Sequence, residues 1–407
     1  MSRRSRQLLV VGLGMILLLL GGCWNRREIE TLAFVMAAGA DKAVEPDKVQ
    51  LTVQIARPTA LVATAGGGGG ALERAFWLVS STGYTVFDAT RNFAAQSSRR
   101  LFWAHNRWLV IGEELAREGL QDVLDYFTRD GETRRTARLA VFKGGKASDF
   151  LTTELEMERL SSEAYIGIIQ NASTGLSTVV DINIHQFLLA VAGEGIEPVA
   201  IRVECIDRLP DVDIRGQMER STISLAPRIT GAAVFRGYKL VGWLDKPETR
   251  GYNWVAGKAK SGIIVIDRPE DEAKYVGIEL MRASSKIEPE IVNGRPRVTV
   301  TINAEGALGD LEDMFLVTDT RAVVTAMERR MATVIANEIN AALRKTKELG
   351  SDIFGFGQAI YRGYPKQWLS LKDSWNDKGF KELEVKIEVK SKVRRSGLVE
   401  IGLPIRR

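Results

Sequence analysis

The sequence predicts an α+β protein of several subdomains, with mixed, mainly antiparallel sheets and packed helices, on three observations. Strict apolar–polar alternation recurs in both halves, at Val49, Leu51, Val53 and Ile55 and again at Leu383, Val385, Ile387 and Val389. Between such stretches lie segments with apolar residues at helical spacing, so strands and helices interleave without a regular repeat. Near residues 319–349 one helical pattern runs much longer than the rest. Composition agrees: 407 residues, 45% hydrophobic and 26% charged, suffice for two or three packed units and exclude a disordered or fibrous chain.

Taken in order, the N-terminus places Arg3, Arg4 and Arg6 before an apolar run from Leu8 to Leu20. Basic residues ahead of a short greasy segment are the pattern of a secretory signal. At 1.5 Å per residue the run makes a helix of about 20 Å, short against a hydrocarbon core of about 30 Å. Leu20, Gly21 and Gly22 before Cys23 resemble a bacterial lipobox, which predicts that residues 1–22 are removed and the Cys23 thiol carries lipid. Two acyl chains hold a protein on a bilayer where one is marginal. Loss of three arginines with the signal lowers the formal charge from +5 to +2, and with it any case for nucleic acid as a partner. Cys205, the second of two cysteines, then has no intramolecular partner and reads as a small core residue.

Strands are expected at Leu32 to Ala40 and Val49 to Ile55, and a flexible loop at the five glycines Gly66 to Gly70. Helices are expected at Tyr84 to Gln96 and Leu115 to Thr128, with a strand-like insert from Leu101 to Ile111 between them and a strand at Arg138 to Phe142. Leu209 to Pro227 has two prolines and no sustained period, so the domain boundary is expected there, between an N-terminal α+β region (23–208, with room for two subdomains) and a C-terminal one (228–396). The C-terminal region opens with short strands at Gly231 to Phe235, Tyr238 to Leu244, Gly262 to Ile266, Val276 to Ala283 and Arg297 to Ala304. The long helix follows, opening near Thr318 and Asp319, closing at Gly350, with a stripe of Val324, Met327, Met331, Val334, Ile335, Ile339 and Leu343. A last strand and a tail, 397–407, complete the chain.

Catalytic signatures are few. The two histidines, His105 and His185, have no second ligand at helical spacing, so no metal site is expected. H-E-x-x-H, C-x-x-C and G-x-S-x-G do not occur. Gly251 to Lys258 is one residue too long for a P-loop and offers Ala259 where a hydroxyl must bind Mg²⁺; Gly355-Phe356-Gly357 begins a dinucleotide fingerprint but has Ile360 at its third glycine. No cofactor is expected. The segment Ser97 to Trp108 interleaves arginines with aromatics, which suits either an anionic ligand or partner surface, or a strand with aromatics turned inward and arginines solvated.

Several of these segments together resemble the Ger(x)C lipoprotein family, the C subunits of spore nutrient-germinant receptors. The resemblance runs through Cys23-Trp24-Asn25-Arg26-Arg27-Glu28-Ile29, Ser97 to Arg107, Gly242-Trp243-Leu244-Asp245 with Glu248-Thr249-Arg250-Gly251, and Ser351 to Gly357. Tyr364-Pro365-Lys366-Gln367-Trp368 and Arg394-Arg395-Ser396-Gly397 continue it over nearly the whole chain. Asn25, where the family usually has Asp, and the five-glycine insert depart from it. It implies a lipid-anchored, non-enzymatic protein on the outer surface of the spore inner membrane, working with polytopic A- and B-type subunits that sense nutrients and trigger germination. Arg99, Arg100, Trp103, Asp352, Phe354 and Phe356 become candidate partner-contact residues. A solute-binding lipoprotein of a transporter shares anchor, compartment and size and is the alternative; an extracytoplasmic enzyme stands third.

Overall fold

The computed structural model describes residues 3, 5–7, 28–57, 75–153, 158, 160–207, 225–269, 271–311 and 321–394. The apolar run Leu8 to Leu20, the lipobox, Cys23, the five-glycine loop, the helix start near Thr318 and Asp319 and the C-terminal tail expected from sequence lie outside these residues.

The first sheet is built on β1 (Leu32–Lys42), which pairs antiparallel with β2 (Val49–Ala56), itself antiparallel to β3 (Phe76–Gly83). After helix α1 (Val86–Asn92) the chain adds β4 (Arg100–Phe102) and β5 (Trp108–Gly112), both parallel to β1. Helices α2 (Glu113–Glu118) and α3 (Gln121–Arg129) lead to β6 (Arg138–Phe142), parallel to β5. Helices α4 (Ala147–Thr152), α5 (Ser161–Gly175) and α6 (Ile184–Val191) lead to β7 (Val199–Asp207), parallel to β6. The antiparallel strands β8 (Leu225–Arg236) and β9 (Lys239–Leu244) finish a nine-stranded sheet ordered β3-β2-β1-β5-β6-β7-β8-β9, with β4 beside β1. Parallel pairing needs long crossovers, and the helices between β5, β6 and β7 supply them. Trp108 to Gly112 is accordingly buried at every position, the pattern of a strand covered on both faces.

Beyond β9, helix α7 (Lys246–Val255) precedes a four-stranded sheet, β10 (Ile263–Arg268), β11 (Asp271–Val292), β12 (Arg295–Leu311) and β13 (Glu384–Arg394), in that order. The long helix α8 (Arg321–Leu349) and short helices α9 (Phe356–Gly363), α10 (Pro365–Leu371) and α11 (Phe380–Glu382) lie between β12 and β13. One apolar core runs without interruption from Ala33 to Leu383 through both halves.

The α+β class with mixed sheets is the one read from sequence, yet several expectations change. Leu225 to Pro227, assigned to the linker, belong to β8 and pair with β7, so the first sheet and the core continue across the expected boundary; residues 209–224 lie outside the described ones. Leu115 to Thr128 is two helices, because Gly119 adopts φ +138° and ends α2. The strands at Val276 to Ala283 and Arg297 to Ala304 are the middles of β11 and β12, 22 and 17 residues long. Charged residues along their solvent face hid that continuity. The buried stripe of α8 begins at Val323 rather than Val324 and contains Glu338. Cys205 is half-buried against the core, and burial raises its thiol pKa.

Candidate functional site

Asp352 is the most constrained polar residue of the Ser351 to Gly357 motif. α8 stops where Gly350 turns left-handed at φ +63°, and the Ser351 hydroxyl donates to the Phe235 carbonyl of β8 at 2.6 Å. The fully buried Asp352 carboxylate then accepts four hydrogen bonds. Oδ1 takes the amides of Gly355 (3.0 Å) and Phe356 (3.2 Å); Oδ2 takes the amide of Gly357 (2.8 Å) and Nε1 of Trp375 (2.9 Å). Burial pushes its pKa up to about 6 despite these donors, which favour the anion. Both oxygens face donors of the chain itself, so the geometry is that of a structural anchor at the start of α9 and not of a catalytic base.

The same motif is seated on the first half of the molecule. The Glu197 amide donates to the Asp352 carbonyl, and the Gln358 amide to the Gly195 carbonyl, both at 2.9 Å. Trp368 Nε1 donates to Glu194 at 3.1 Å, while Glu197 accepts from Asn376 and from the Gly237 amide. Gly357 is required by close approach: a Cβ there would lie 2.6 Å from Trp375 Nε1 and 2.9 Å from Gly195 Cα. Phe354 and Phe356 stack with centroids 5.1 Å apart, and Phe356 is wholly buried. Asp352, Phe354 and Phe356 are therefore corrected as partner contacts: their side chains are interior, and it is the backbone at Asp352 and Gln358 that joins the two halves.

The second motif serves a similar end. Asp245 caps α7 by accepting from the Glu248 amide, with Glu248 reciprocating to the Asp245 amide. Five residues on, Arg250 forks onto the buried Glu338 of α8, which also accepts from Trp254 Nε1 at 2.9 Å. Arg250 reaches the Ile263 carbonyl as well, tying α7, α8 and β10 at one point.

The arginine–aromatic segment divides by face. Arg99 and Arg100 are exposed, and Arg100 pairs with Glu132 at 2.8 Å. Trp103 is only 2% exposed and packs edge-on against Phe127 with centroids 5.5 Å apart, so it too is corrected from partner contact to core. An apolar indole next to a sheet gains more from burial than from the surface. His105 stacks edge-on against Phe34 and is exposed, as is His185. No group of three or more His, Cys, Asp or Glu among the described residues is arranged to hold a metal, and no described helix is long and apolar enough to cross a membrane.

Two open grooves flank β1, each walled by residues far apart in the chain; the sequence pattern singled out one wall of the second, Ser97 to Arg99, and none of the first. One of about 800 Å³ lies at the C-terminal end of the strand, between Lys42, Tyr84, Phe87, Asp122 and Tyr126. The other, about 500 Å³, lies at its start, between Ile29, Phe34, Arg57, Trp77 and Arg99.

Comparison with known proteins covers nearly the whole chain. Residues 25–204 match the spore germination protein N-terminal domain, and residues 230–397 the spore germination B3/GerAC-like C-terminal domain. Spore germination protein KC of Bacillus subtilis (strain 168) is 30% identical over 398 residues, covering 96% of each chain. Putative spore germination protein YfkR of the same organism is 24% identical, covering 92% of each. The crystal structure of the GerBC protein superposes with a TM-score of 0.55 over 88% of this chain and 98% of that one; at 18% identity this is a likeness of fold. By its two domain matches and a full-length relative at 30% identity, this chain belongs to the spore germination B3/GerAC-like family, the Ger(x)C family of germinant-receptor C subunits.

Proposed function

We propose that this protein is the lipid-anchored, non-enzymatic subunit of a nutrient germinant receptor in the spore inner membrane, where it supports receptor assembly and germination signalling beside polytopic A- and B-type subunits. The single observation that carries the reading is the family relationship along the full length, with Leu20-Gly21-Gly22-Cys23 standing directly ahead of its first matched residue region. The relatives named above bear germination names and none an enzyme's. In this reading the Cys23 thioether fixes the body to the outer leaflet, and the interior motifs around Asp352 and Glu338 keep its two halves rigid enough to relay a signal. A solute-binding role is not favoured by these relatives.

Replacing Cys23 by Ala is expected to leave an unprocessed precursor and to impair nutrient-triggered germination of spores. Mass spectrometry of the mature chain and optical-density loss on nutrient addition measure the two effects. Normal germination with unlipidated protein would contradict the proposal.

A further inference from the structure

We propose that the end of the first sheet where β1 begins is a membrane-docking surface for anionic phospholipid headgroups. The inference rests on the lipid-anchor reading and goes beyond it, because an anchor alone leaves the orientation of the body open.

Topology gathers this end from four separated stretches. Leu32 and Ala33 of β1 lie beside Arg100 and Leu101 of β4, and Val35 pairs with Ile55 near the close of β2. Ile55 and Ala56 in turn face Trp77 and Phe76 at the opening of β3. Arg57 and Arg99 thus reach the same rim, where both line the 500 Å³ groove. Only six residue steps separate Cys23 from Ile29. Fully extended they span at most about 20 Å, so a lipid on Cys23 holds this rim within that distance of the headgroups.

The surface suits that position. Ile29 is 70% exposed, and Phe34 and Trp77 are half-buried at the rim. Phe34 meets Phe102 edge-on at 5.7 Å and His105 at 5.4 Å, an aromatic group with apolar bodies and one polar tip, the combination favoured at a membrane interface. Arg99 is exposed and has no carboxylate partner among the described residues. Within the groove Arg57 and Arg99 outnumber Glu30, while the neighbouring Arg100 is paired with Glu132. The opposite end of β1 is more acidic: Asp47, Glu118, Asp122 and Asp125 outnumber Lys42, Lys48 and Arg129 along the larger groove there, and Asp130 stands between that groove and Arg99. Eleven strand residues put about 35 Å between the two ends, several Debye lengths at physiological salt, so an anionic bilayer attracts one end without feeling the other.

The test uses the full chain, processed and lipidated, in vesicles of phosphatidylcholine with or without phosphatidylglycerol. Cys205→Ser removes the remaining free thiol, and a fluorophore is placed through Ser98→Cys at the docking rim or through Glu45→Cys at the far end. Headgroup spin-labelled lipid is expected to quench the Ser98 probe strongly and the Glu45 probe hardly at all. The difference should depend on phosphatidylglycerol and be lost in Arg99→Glu, whose side chain is exposed and has no carboxylate partner among the described residues. Equal quenching at the two positions, or quenching indifferent to anionic lipid and to charge reversal, overturns the docking surface. Intact mass of the same preparation separates the two ideas. A lipidated chain that fails the quenching test sinks docking alone, whereas a bare Cys23 thiol sinks the anchor and docking together.

Discussion

Asp352 shows how one buried carboxylate organises a turn between distant parts of the chain. Four converging donors leave no room for an amide in its place: Asp352→Asn would set an NH₂ group against the Gly357 amide and Trp375 Nε1, leaving two buried donors without acceptors. At about 1–3 kcal/mol for each unsatisfied group, the variant is expected to lose roughly 2–6 kcal/mol in urea unfolding. The carboxylate also carries a pH signature. Its folded pKa of about 6 stands above the ordinary value of 3.8. Between those values the native state holds a proton that the unfolded chain has released, so its contribution to stability is full below about pH 4 and lost as pH rises through about 6. The stability margin of the native protein over Asp352→Asn should therefore narrow across that window. A margin that widens would show the four donors outweighing burial.

At the scale of elements, the packing of α7 on α8 depends on a residue with no side chain. Gly251 sits within α7, where a Cβ would fall 2.6 Å from the carbonyl carbon of Glu338 and 3.0 Å from the Ala342 methyl. Gly251→Ala gains up to about 1 kcal/mol of helix propensity, but the contact is with backbone and cannot yield by rotamer change. Pushing the helices apart loosens the Arg250–Glu338–Trp254 contact as well. We expect net destabilisation of about 1–3 kcal/mol, read as a lowered urea midpoint, with greater accessibility of Trp254 to acrylamide. Wild-type stability in this variant would mean that the two helices have slack. The motif from Gly242 to Gly251 was visible as a motif in the sequence, and so was the capping pair Asp245 and Glu248. That Glu338 is the partner of Arg250 was not, since the two are 88 positions apart in the chain.

For the whole molecule, the continuous core and the pairing of β7 with β8 across the expected boundary predict a single cooperative transition. Far-ultraviolet dichroism and tryptophan fluorescence should report the same urea midpoint, the tryptophans among the described residues being spread from Trp77 to Trp375. Two separated transitions would restore an independent domain on each side of residues 209–224. A chain ending at Asp207 is expected to aggregate, because β7 would become an open edge and the apolar face of β8 would be missing.

Local physical chemistry determined a good deal on its own. Apolar runs, alternation and helical period marked β1, β2, β6, α8 and β13, because the residues of each signal are close in sequence; β13 keeps one wet face, while β1, β2 and β6 are buried on both. The anchor expectation at Cys23 and the absence of familiar catalytic motifs also follow from neighbouring residues. Tertiary structure alone decided the rest: the parallel order β1-β5-β6-β7, the full length of β11 and β12, and which side of the arginine–aromatic segment meets water. It also turned Trp103, Asp352, Phe354 and Phe356 inward. Burial is a property of what another part of the chain brings to a surface. Composition can say that an aromatic or a carboxylate is present, but only the long-range pairing of strands and helices says whether solvent reaches it.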